Sequence, residues 1–319
     1  MKVALIGGTG YVGSYIIDEL IKSGHKPKLL VRNGSEHKVV QPEKCETISG
    51  DIDDDDAVSS TLDGCDAVIY LIAVIREFPQ RGLTNEKLQF KGSEKVARIA
   101  EEKGVKRFLL MSALGASPDP NGSKYMQAKH LSEQAVQNTS LDWTIIKPSS
   151  LFGDPRGDDR PEFCMMLDKL MLSLVPYPKF FPFPAPSFFT GINPFEAGNY
   201  ALSMIHVKDV ATLFVKILED KDSINQKIEV GGNREVTWNE VVTSIAKATS
   251  RRVIMTPAPF FVVASIAGIF DRFAWFPAGK DQLNDLIKGS VCDSSELFKK
   301  HSINLIPFSI ENLKYISGQ

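Results

Sequence analysis

Three glycines spaced three residues apart follow a short apolar run near the start of the chain, and they constrain the fold most. The run KVALI (residues 2–6) is strand-like, and Gly7, Gly10 and Gly13 follow in GGTGYVG. An amphipathic helical pattern then continues as far as Gly24. Backbone N–H groups at such a helix start can approach an anion because no Cβ stands in the way. The stretch predicts a site for a nucleotide diphosphate, and the alternative is a purely structural turn.

Short apolar runs alternate with helical patterns along the first half of the chain. The runs predicted as strands after KVALI lie at 28–31, 46–49, 66–73, 107–113 and 143–148. Continuous apolar strands separated by helices indicate a parallel sheet covered on both faces. We therefore predict an α/β fold, a Rossmann-type doubly wound parallel sheet over residues 1–150, to which residues 200–226 also contribute.

The pattern changes after Pro148, where residues 151–319 predict a smaller α+β substrate or lid domain interleaved with the first. Residues 176–200 are rich in proline and aromatics, which fits the lining of an apolar pocket or an irregular packing loop. Helices are predicted at 237–249, 259–274 and 280–288. The aromatics that could shape a substrate site, or dock on a membrane or partner, are Phe180, Phe181, Phe183, Phe188 and Phe189.

Composition excludes several classes of protein. The 319 residues carry a formal net charge of −2, which gives no reason to expect a nucleic-acid partner. The four cysteines are far apart without a CxxC pair, so we expect reduced thiols in a cytoplasmic-type compartment and neither a zinc site nor a disulfide framework. The acidic run DIDDDD (51–56) is better explained by the capping of a helix than by a metal site.

Membrane insertion is not indicated by the apolar segments. The first run ends at glycines and is too short for the core of a signal peptide. The longest apolar stretch, PFFVVASIAGIF (259–270), falls well below the ~20 residues that a membrane span needs. A core helix is the favoured interpretation, and a helix lying on a membrane surface is the alternative.

The second predicted strand indicates which dinucleotide would bind. A site for NAD usually ends this strand with an acidic residue, which binds the ribose 2′-hydroxyl. Here the strand ends LLVRN, so Arg32 stands at that position. Because a guanidinium suits a 2′-phosphate, we favour NADP over NAD. The alternative is that Arg32 only faces solvent.

A tyrosine and a lysine one helical turn apart form a candidate catalytic pair. In SKYMQAKHLSEQ (123–134), Tyr125 precedes Lys129 by four residues, and Ser112 ends the fifth strand thirteen residues earlier. Such a pair is common by chance, and an ordinary packing role is the alternative. Tyrosine, with an ordinary pKa near 10, can exchange a proton at neutral pH when a neighbouring ammonium lowers its pKa. Ser112 could then donate a hydrogen bond to a carbonyl oxygen.

Several separated motifs resemble the short-chain dehydrogenase/reductase superfamily in its extended and atypical branches. They are GGTGYVG, Gly50-Asp51-Ile52, Ser112 and Tyr125-x-x-x-Lys129. The segments KGVKRFLLMSALGA, SMIHVKDVA and IEVGGNREVTWNEV are similar to the NmrA-like group, which includes the nucleotide-binding accessory subunit of respiratory complex I. The resemblance covers essentially the whole chain and is strongest over residues 1–150.

The resemblance implies a role for each matching residue. Gly7, Gly10 and Gly13 would face the cofactor phosphates, with Thr9, Tyr11 and Val12 lining the same turn; Arg32 would select the adenosine ribose; Asp51 and Ile52 would flank adenine; Leu71, Ile72 and Ala73 would pass beneath the ribose; Ser112 would orient a substrate carbonyl; Tyr125 would be the acid/base; Lys129 would hold the nicotinamide ribose; and Pro148 and Ser149 would lie near the nicotinamide.

One departure from the superfamily pattern leaves the function open. Where related enzymes often carry an asparagine that supports a proton-relay water, this chain has Gln89 or a near neighbour. The leading hypothesis is an NADP-dependent oxidoreductase acting on a carbonyl, an enone-type double bond or an alcohol of an apolar small molecule. The second is a dinucleotide-holding accessory or assembly factor of a membrane complex. A sugar-nucleotide epimerase or dehydratase is less favoured, because those enzymes generally use NAD and a more polar substrate domain.

Overall fold

The computed structural model describes residues 1–157, 160–169, 181–270 and 280–318. The chain divides into two compact units, and it enters each of them three times. Unit 1 comprises Met1–Pro148, Val207–Val230 and Ser295–Asn304. Unit 2 comprises Ser149–His206, Gly231–Ser294 and Leu305–Gln319.

The described residues form thirteen strands, ten α-helices, one π-helix and short 3₁₀ turns. The strands are β1 (Lys2–Ile6), β2 (Lys26–Val31), β3 (Glu46–Ser49), β4 (Ala67–Tyr70), β5 (Arg107–Met111), β6 (Asp142–Pro148), β7 (Leu151–Phe152), β8 (Phe183–Phe189), β9 (Ala201–Leu202), β10 (Ile205–His206), β11 (Gln226–Val230), β12 (Val236–Thr237) and β13 (Val253–Pro259). The helices are α1 (Tyr11–Lys22), α2 (Asp55–Leu62), the π-helix (Glu86–Lys91), α3 (Gly92–Glu102), α4 (Lys124–Gln137), α5 (Phe163–Leu167), α6 (Val207–Glu219), α7 (Trp238–Ala248), α8 (Phe260–Phe270), α9 (Lys280–Ile287) and α10 (Ser295–Lys300).

Unit 1 contains a seven-stranded sheet in the order β11-β6-β5-β4-β1-β2-β3. Every neighbouring pair in it is parallel, as the strand–helix alternation predicts. The strand order reverses between β1 and β4. Ligands of doubly wound folds bind outside the carboxyl ends of the strands at such a reversal, so this edge of the sheet is where a site is expected.

Burial explains why the central strands β1 and β4 carry consecutive apolar residues. Both β1 from Val3 to Ile6 and β4 from Ala67 to Tyr70 are inaccessible to solvent or nearly so. Helices α1 and α6 pack together, and α2, α3 and α4 pack in sequence with side chains of the main core. A sheet covered on both faces needs apolar residues at consecutive positions rather than at alternate ones.

A buried arginine attaches the returning segment Val207–Val230 to the sheet. The guanidinium of Arg107 donates hydrogen bonds to the Asp142 carbonyl (2.7 Å), the Thr144 hydroxyl (2.7 Å), the Ile217 carbonyl (2.9 Å) and the Ser223 hydroxyl (2.8 Å). Burial lowers the pKa of Arg107 to about 10. Because four oxygens depend on one guanidinium, the end of α6 is fixed against β6.

Unit 2 contains a regular strand where the sequence indicated irregular structure. Residues 183–189 form β8, which pairs in parallel with β13. Phe183 donates its N–H to the Arg252 carbonyl, so the alternate residues Pro184 and Pro186 fall where an edge strand needs no donor. The proline-rich composition is therefore compatible with a two-stranded sheet.

The aromatics of this stretch do not form one surface. Phe188 is buried against Trp238 with ring centroids 5.5 Å apart, and Phe183 packs against the same core of unit 2. Phe189 is half-buried, and Phe181 is exposed. Phe180, which was among the predicted pocket residues, lies outside the described residues.

Helix α8 is buried on one side only, whereas the sequence favoured a core helix. Ala264 and Ala267 face the interior, while Phe261 is 71% exposed and Val262 and Ile269 are also exposed. Residues 271–274 of the helix predicted at 259–274 lie outside the described residues. Among the described residues, no helix is long and apolar enough to cross a bilayer.

Candidate functional site

The glycine turn connects β1 to α1 without a capping side chain. Gly7 has a φ of +97°, which favours glycine, and Gly10 donates its N–H to the Gly7 carbonyl at 3.1 Å. Helix α1 begins at Tyr11 with Gly10 as its N-cap, and residues 11–14 include no acidic side chain. The first amides of a helix have no carbonyl partner inside it, so this end attracts negative charge.

The backbone of this turn approaches itself too closely to admit a side chain at Gly13. A Cβ on Gly13 would lie 2.5 Å from the Gly7 carbonyl oxygen and 2.7 Å from the Gly8 Cα. A Cβ on Gly7 would lie 3.2 Å from the backbone nitrogen of Ile72. At Gly10 the nearest approach is a milder 3.2 Å, to the Gly7 oxygen. The geometry fits a diphosphate seated on backbone amides.

The segment after β4 lies beside the glycine turn. Leu71 donates its N–H to the Ile6 carbonyl at 2.9 Å, which extends the contact between β4 and β1 by one residue. Leu71 is buried, Ile72 is half-buried and Ala73 is exposed. Thr9 and Tyr11 are half-buried, and Val12 is buried. The residues expected beneath a ribose are therefore adjacent to those expected around the phosphates.

The ends of β2 and β3 bring two further predicted residues to the same edge of the sheet. Gly50 donates its N–H to the Val31 carbonyl at 2.9 Å, so Arg32 and Asp51 each follow the end of one of two paired strands. The Arg32 side chain is exposed, and Asp51 is half-buried. Ile52 is 4% exposed and packs in the main core, which leaves it little surface for an adenine ring.

The acidic run after β3 caps a helix, as the sequence predicts. The Asp54 carboxylate accepts a hydrogen bond from the Ala57 N–H at 3.0 Å. Asp53 pairs with Lys87 and Asp55 with Lys95, each at 2.5 Å. Within the described ranges, no cluster of three or more histidine, cysteine or carboxylate side chains has the geometry to hold a metal ion.

Helix α4 presents the Tyr125–Lys129 pair. The Ser123 hydroxyl caps the helix by accepting from the Met126 N–H at 3.1 Å. The Lys129 Nζ lies 5.7 Å from the centroid of the half-buried Tyr125 ring and donates to the Met111 carbonyl at 2.7 Å. Burial lowers the pKa of Lys129 to about 7, opposed by the charge of Glu133. The structure thus brings the lysine to the end of β5.

Ser112 has a different partner from the one that the sequence suggested. Its hydroxyl is 1% exposed and donates its only hydrogen to the Glu133 Oε1 at 2.5 Å. Donation to a substrate carbonyl would require that bond to break. Glu133 was missed at the sequence level, although its position one turn beyond Lys129 places it on the same side of the helix.

A π-helix lies against α4 and contains an unsatisfied acceptor. The Tyr70 hydroxyl donates to the Leu88 carbonyl, and a Cβ on Gly92 would overlap that hydroxyl. A hydroxyl inserted in this way accounts for the widened turn. Gln89 is 1% exposed and donates from Nε2 to the Asn85 Oδ1, while its Oε1 is buried without a hydrogen-bond partner among the described residues. The position of the expected asparagine therefore still offers an amide oxygen.

The two residues expected near the nicotinamide separate at the boundary of the units. Pro148 ends β6, and its carbonyl accepts from the Leu114 N–H at 3.0 Å. Ser149 begins unit 2, where its hydroxyl donates to the Ser290 carbonyl at 2.8 Å. That bond engages the Ser149 hydroxyl within unit 2.

These features define a nucleotide-binding domain of the Rossmann type. Residues 7–162 match the family model described as NAD(P)H-binding. The 40 kDa subunit of mitochondrial NADH-ubiquinone oxidoreductase of Neurospora crassa is 23% identical over 318 residues, which cover 98% of this chain and 77% of that protein. These matches confirm the resemblance to atypical short-chain dehydrogenases/reductases.

Two further similarities concern a named enzyme and a solved structure. The ceramide reductase of Caulobacter vibrioides is 25% identical over 266 residues, which cover 82% of this chain and 75% of that protein. The crystal structure of the UDP-glucose 4-epimerase of Thermus thermophilus in complex with NAD aligns with a TM-score of 0.71. That alignment covers 100% of this chain and 98% of the epimerase at 16% identity, and it establishes the fold alone.

Alanine substitutions at Gly13 and Gly10 test whether close backbone packing in the glycine turn is needed for dinucleotide binding. We expect Gly13→Ala to weaken NADPH binding roughly tenfold or more, since a loss of about 1.4 kcal/mol of contact energy suffices for that factor. Gly10→Ala, with its milder approach of 3.2 Å, should have a smaller effect. Fluorescence titration measures both dissociation constants, and thermal unfolding of each variant is the control. Equal affinities for the two variants would contradict the steric account.

Proposed function

We propose that the protein is an NADP-dependent oxidoreductase that transfers a hydride to or from an apolar small-molecule substrate, with Tyr125 as the acid/base. The observation that carries this proposal is the buried Lys129 ammonium beside the Tyr125 ring, at the end of β5. Ceramide reductase, a relative named for a lipid substrate, supports the apolar substrate class.

Different side chains of unit 1 bind the cofactor and transfer the proton. A bound nicotinamide dinucleotide supplies or accepts the hydride. Tyr125 gives its hydroxyl proton to the substrate oxygen in reduction and takes it back in oxidation. The Lys129 ammonium stabilises the phenolate that remains and also donates to the nicotinamide ribose.

The other residues proposed to contact the cofactor lie at the carboxyl ends of the strands of unit 1. The amides of the Gly7–Gly13 turn would hold the diphosphate, and Leu71, Ile72 and Ala73 would pass beneath the ribose. Asp51 would flank the adenine, and Arg32 would bind the 2′-phosphate. The proposed site lies within unit 1.

Substitution of the tyrosine tests turnover. With NADPH and a panel of long-chain ketones, aldehydes and enones, Tyr125→Phe should lower kcat by about 100-fold or more, because general acid–base catalysis contributes roughly that much. NADPH affinity should stay unchanged. Tyr200→Phe is a matched control, since the buried Tyr200 hydroxyl has no hydrogen-bond partner among the described residues. The proposal fails if the wild type oxidises NADPH no faster than Tyr125→Phe with every substrate.

Cofactor preference is tested at Arg32. Arg32→Ser should weaken NADPH binding by roughly tenfold, about the worth of one charge-assisted contact, and leave NADH binding unchanged. Arg98→Ser, at an arginine on the surface of α3, controls for loss of one positive charge. Equal losses for both cofactors would show that Arg32 does not read the 2′-phosphate.

A second candidate function is that of a dinucleotide-holding accessory protein of a membrane complex. The residues that favour it are Phe261, Val262 and Ile269, which form an exposed apolar stripe on a helix without charged side chains. A stripe of this kind suits the apolar surface of a membrane-protein complex. The relative from NADH-ubiquinone oxidoreductase is named as a subunit of such an assembly.

Charge on the stripe tests this alternative. In a mild detergent extract, the wild type should co-migrate on native gels with a high-mass complex that stains for NADH oxidation. Phe261→Asp should abolish co-migration, whereas Tyr125→Phe should not. Ile192→Asp is the matched control, because Ile192 is 97% exposed and lies outside the stripe. Recovery of the wild type only as a low-mass species would exclude the accessory role.

A further inference from the structure

A buried carboxylate on α4 receives side chains from three neighbouring strands. Glu133 is 1% exposed. Its Oε1 accepts from the hydroxyl of Ser112, which follows β5, at 2.5 Å, and lies 3.6 Å from Nζ of Lys147 in β6. Its Oε2 lies 3.0 Å from Nζ of Lys227 in β11. One side chain therefore joins α4 to β6, to β11 and to the residue that follows β5.

The register of the sheet explains why these side chains meet. Ile145 pairs with Leu110 on one side and with Lys227 on the other. Paired residues of parallel strands face the same side of a sheet, and residues two apart do so as well. Ser112 and Lys147, each two residues further along, therefore share this face with Lys227.

Such a carboxylate is stable only while its partners are in place. Removing an ionised group from water is costly, and removal of one partner of a buried pair is strongly destabilising. Each of the two oxygens of Glu133 has a lysine, and Oε1 also has the Ser112 hydroxyl. The helix cannot slide or rotate without breaking these contacts, so the network fixes the position of α4.

We propose that Glu133 is the positioning residue of the cofactor site and that Ser112 acts through it rather than on the substrate. This inference rests on the proposed function, in which Lys129 holds the nicotinamide ribose. Lys129 lies one turn before Glu133 on the same helix, so whatever fixes Glu133 also fixes Lys129. Ser112 has one hydroxyl hydrogen, and Glu133 already accepts it.

Charge gives Glu133 a second effect on the same lysine. Burial disfavours the ammonium form of Lys129, and the negative charge of Glu133 favours it. Only the ammonium form donates three hydrogen bonds, one of which is committed to the Met111 carbonyl. Glu133 thus maintains both the place and the charge of the group proposed to bind the ribose.

The test compares two ligands of each variant. NADPH contains the nicotinamide ribose, whereas adenosine 2′,5′-bisphosphate contains only the adenosine half. We expect Glu133→Gln to weaken NADPH binding roughly tenfold and to leave binding of the bisphosphate unchanged, because one charge-assisted contact is worth about that factor. A general loosening of unit 1 would weaken both ligands alike and overturn the proposal.

Combined substitutions test whether Ser112 works through Glu133. Ser112→Ala should weaken NADPH binding in the same direction but less, and the double variant should be no weaker than Glu133→Gln alone. If the two fold-losses of NADPH affinity multiply in the double variant, Ser112 does not act through Glu133 and the proposal is overturned. Glu94→Gln, at an exposed glutamate of α3, is the matched control.

A milder variant keeps the test decisive if Glu133→Gln does not fold. Lys227→Met leaves the carboxylate and the Ser112 bond in place and removes a lysine that is 37% exposed. It should weaken NADPH without affecting the bisphosphate, and equal binding to wild type would overturn the proposal. If the wild type itself binds no NADPH, the proposed function fails instead, so the two failures are distinguishable.

Discussion

The close approach of backbone to backbone between Gly7 and Gly13 is the constraint on which the rest of unit 1 depends. The carbonyl of Gly7 and the Cα of Gly8 lie so near Gly13 that no side chain fits between them. Helix α1 can therefore start only four residues after β1 ends, with its first amides at the carboxyl edge of the sheet. The neighbouring segment at Ile72 closes against the same turn, which places the end of β4 beside it.

Helix α4 combines two kinds of ionisable side chain on one buried side. Lys129 and Glu133 are each almost fully buried, yet each is bonded to the end of the sheet rather than simply to the other. In a medium of low polarity, such bonds are strong when complete and costly when incomplete. The arrangement sets the helix rigidly while it leaves the half-buried Tyr125 accessible at the first turn.

The fold of unit 1 could be predicted because its evidence is local. Each buried strand is a short apolar run, and the glycine turn and the Asp54 cap depend on residues close in sequence. The strand at 183–189 escaped prediction because proline is normally a strand breaker, and only pairing on one side makes Pro184 and Pro186 acceptable. Arg107 was missed because its partners lie up to 116 residues away.

The sequence was sufficient to name residues of the candidate site, but not to predict which side chains they contact. The sequence named Ser112 as a hydroxyl at the end of a strand, but its partner Glu133 is set by tertiary packing. It placed Gln89 or a near neighbour at the position of a missing asparagine. The π-helix that buries the Gln89 amide instead depends on the Tyr70 hydroxyl, eighteen residues from Leu88. Roles that depend on a bound cofactor remain predictions.

The late return of β11 to the sheet has a consequence for synthesis on the ribosome. Until residue 230 has emerged, β6 is an edge strand with open backbone donors and acceptors, although residues 1–148 are already available. Lys227 belongs to β11, so the Glu133 carboxylate lacks one of its two lysines until residues 149–226 have been synthesised. The last strand of this sheet to be synthesised therefore covers the backbone edge of β6 and brings the second lysine of Glu133 at the same time.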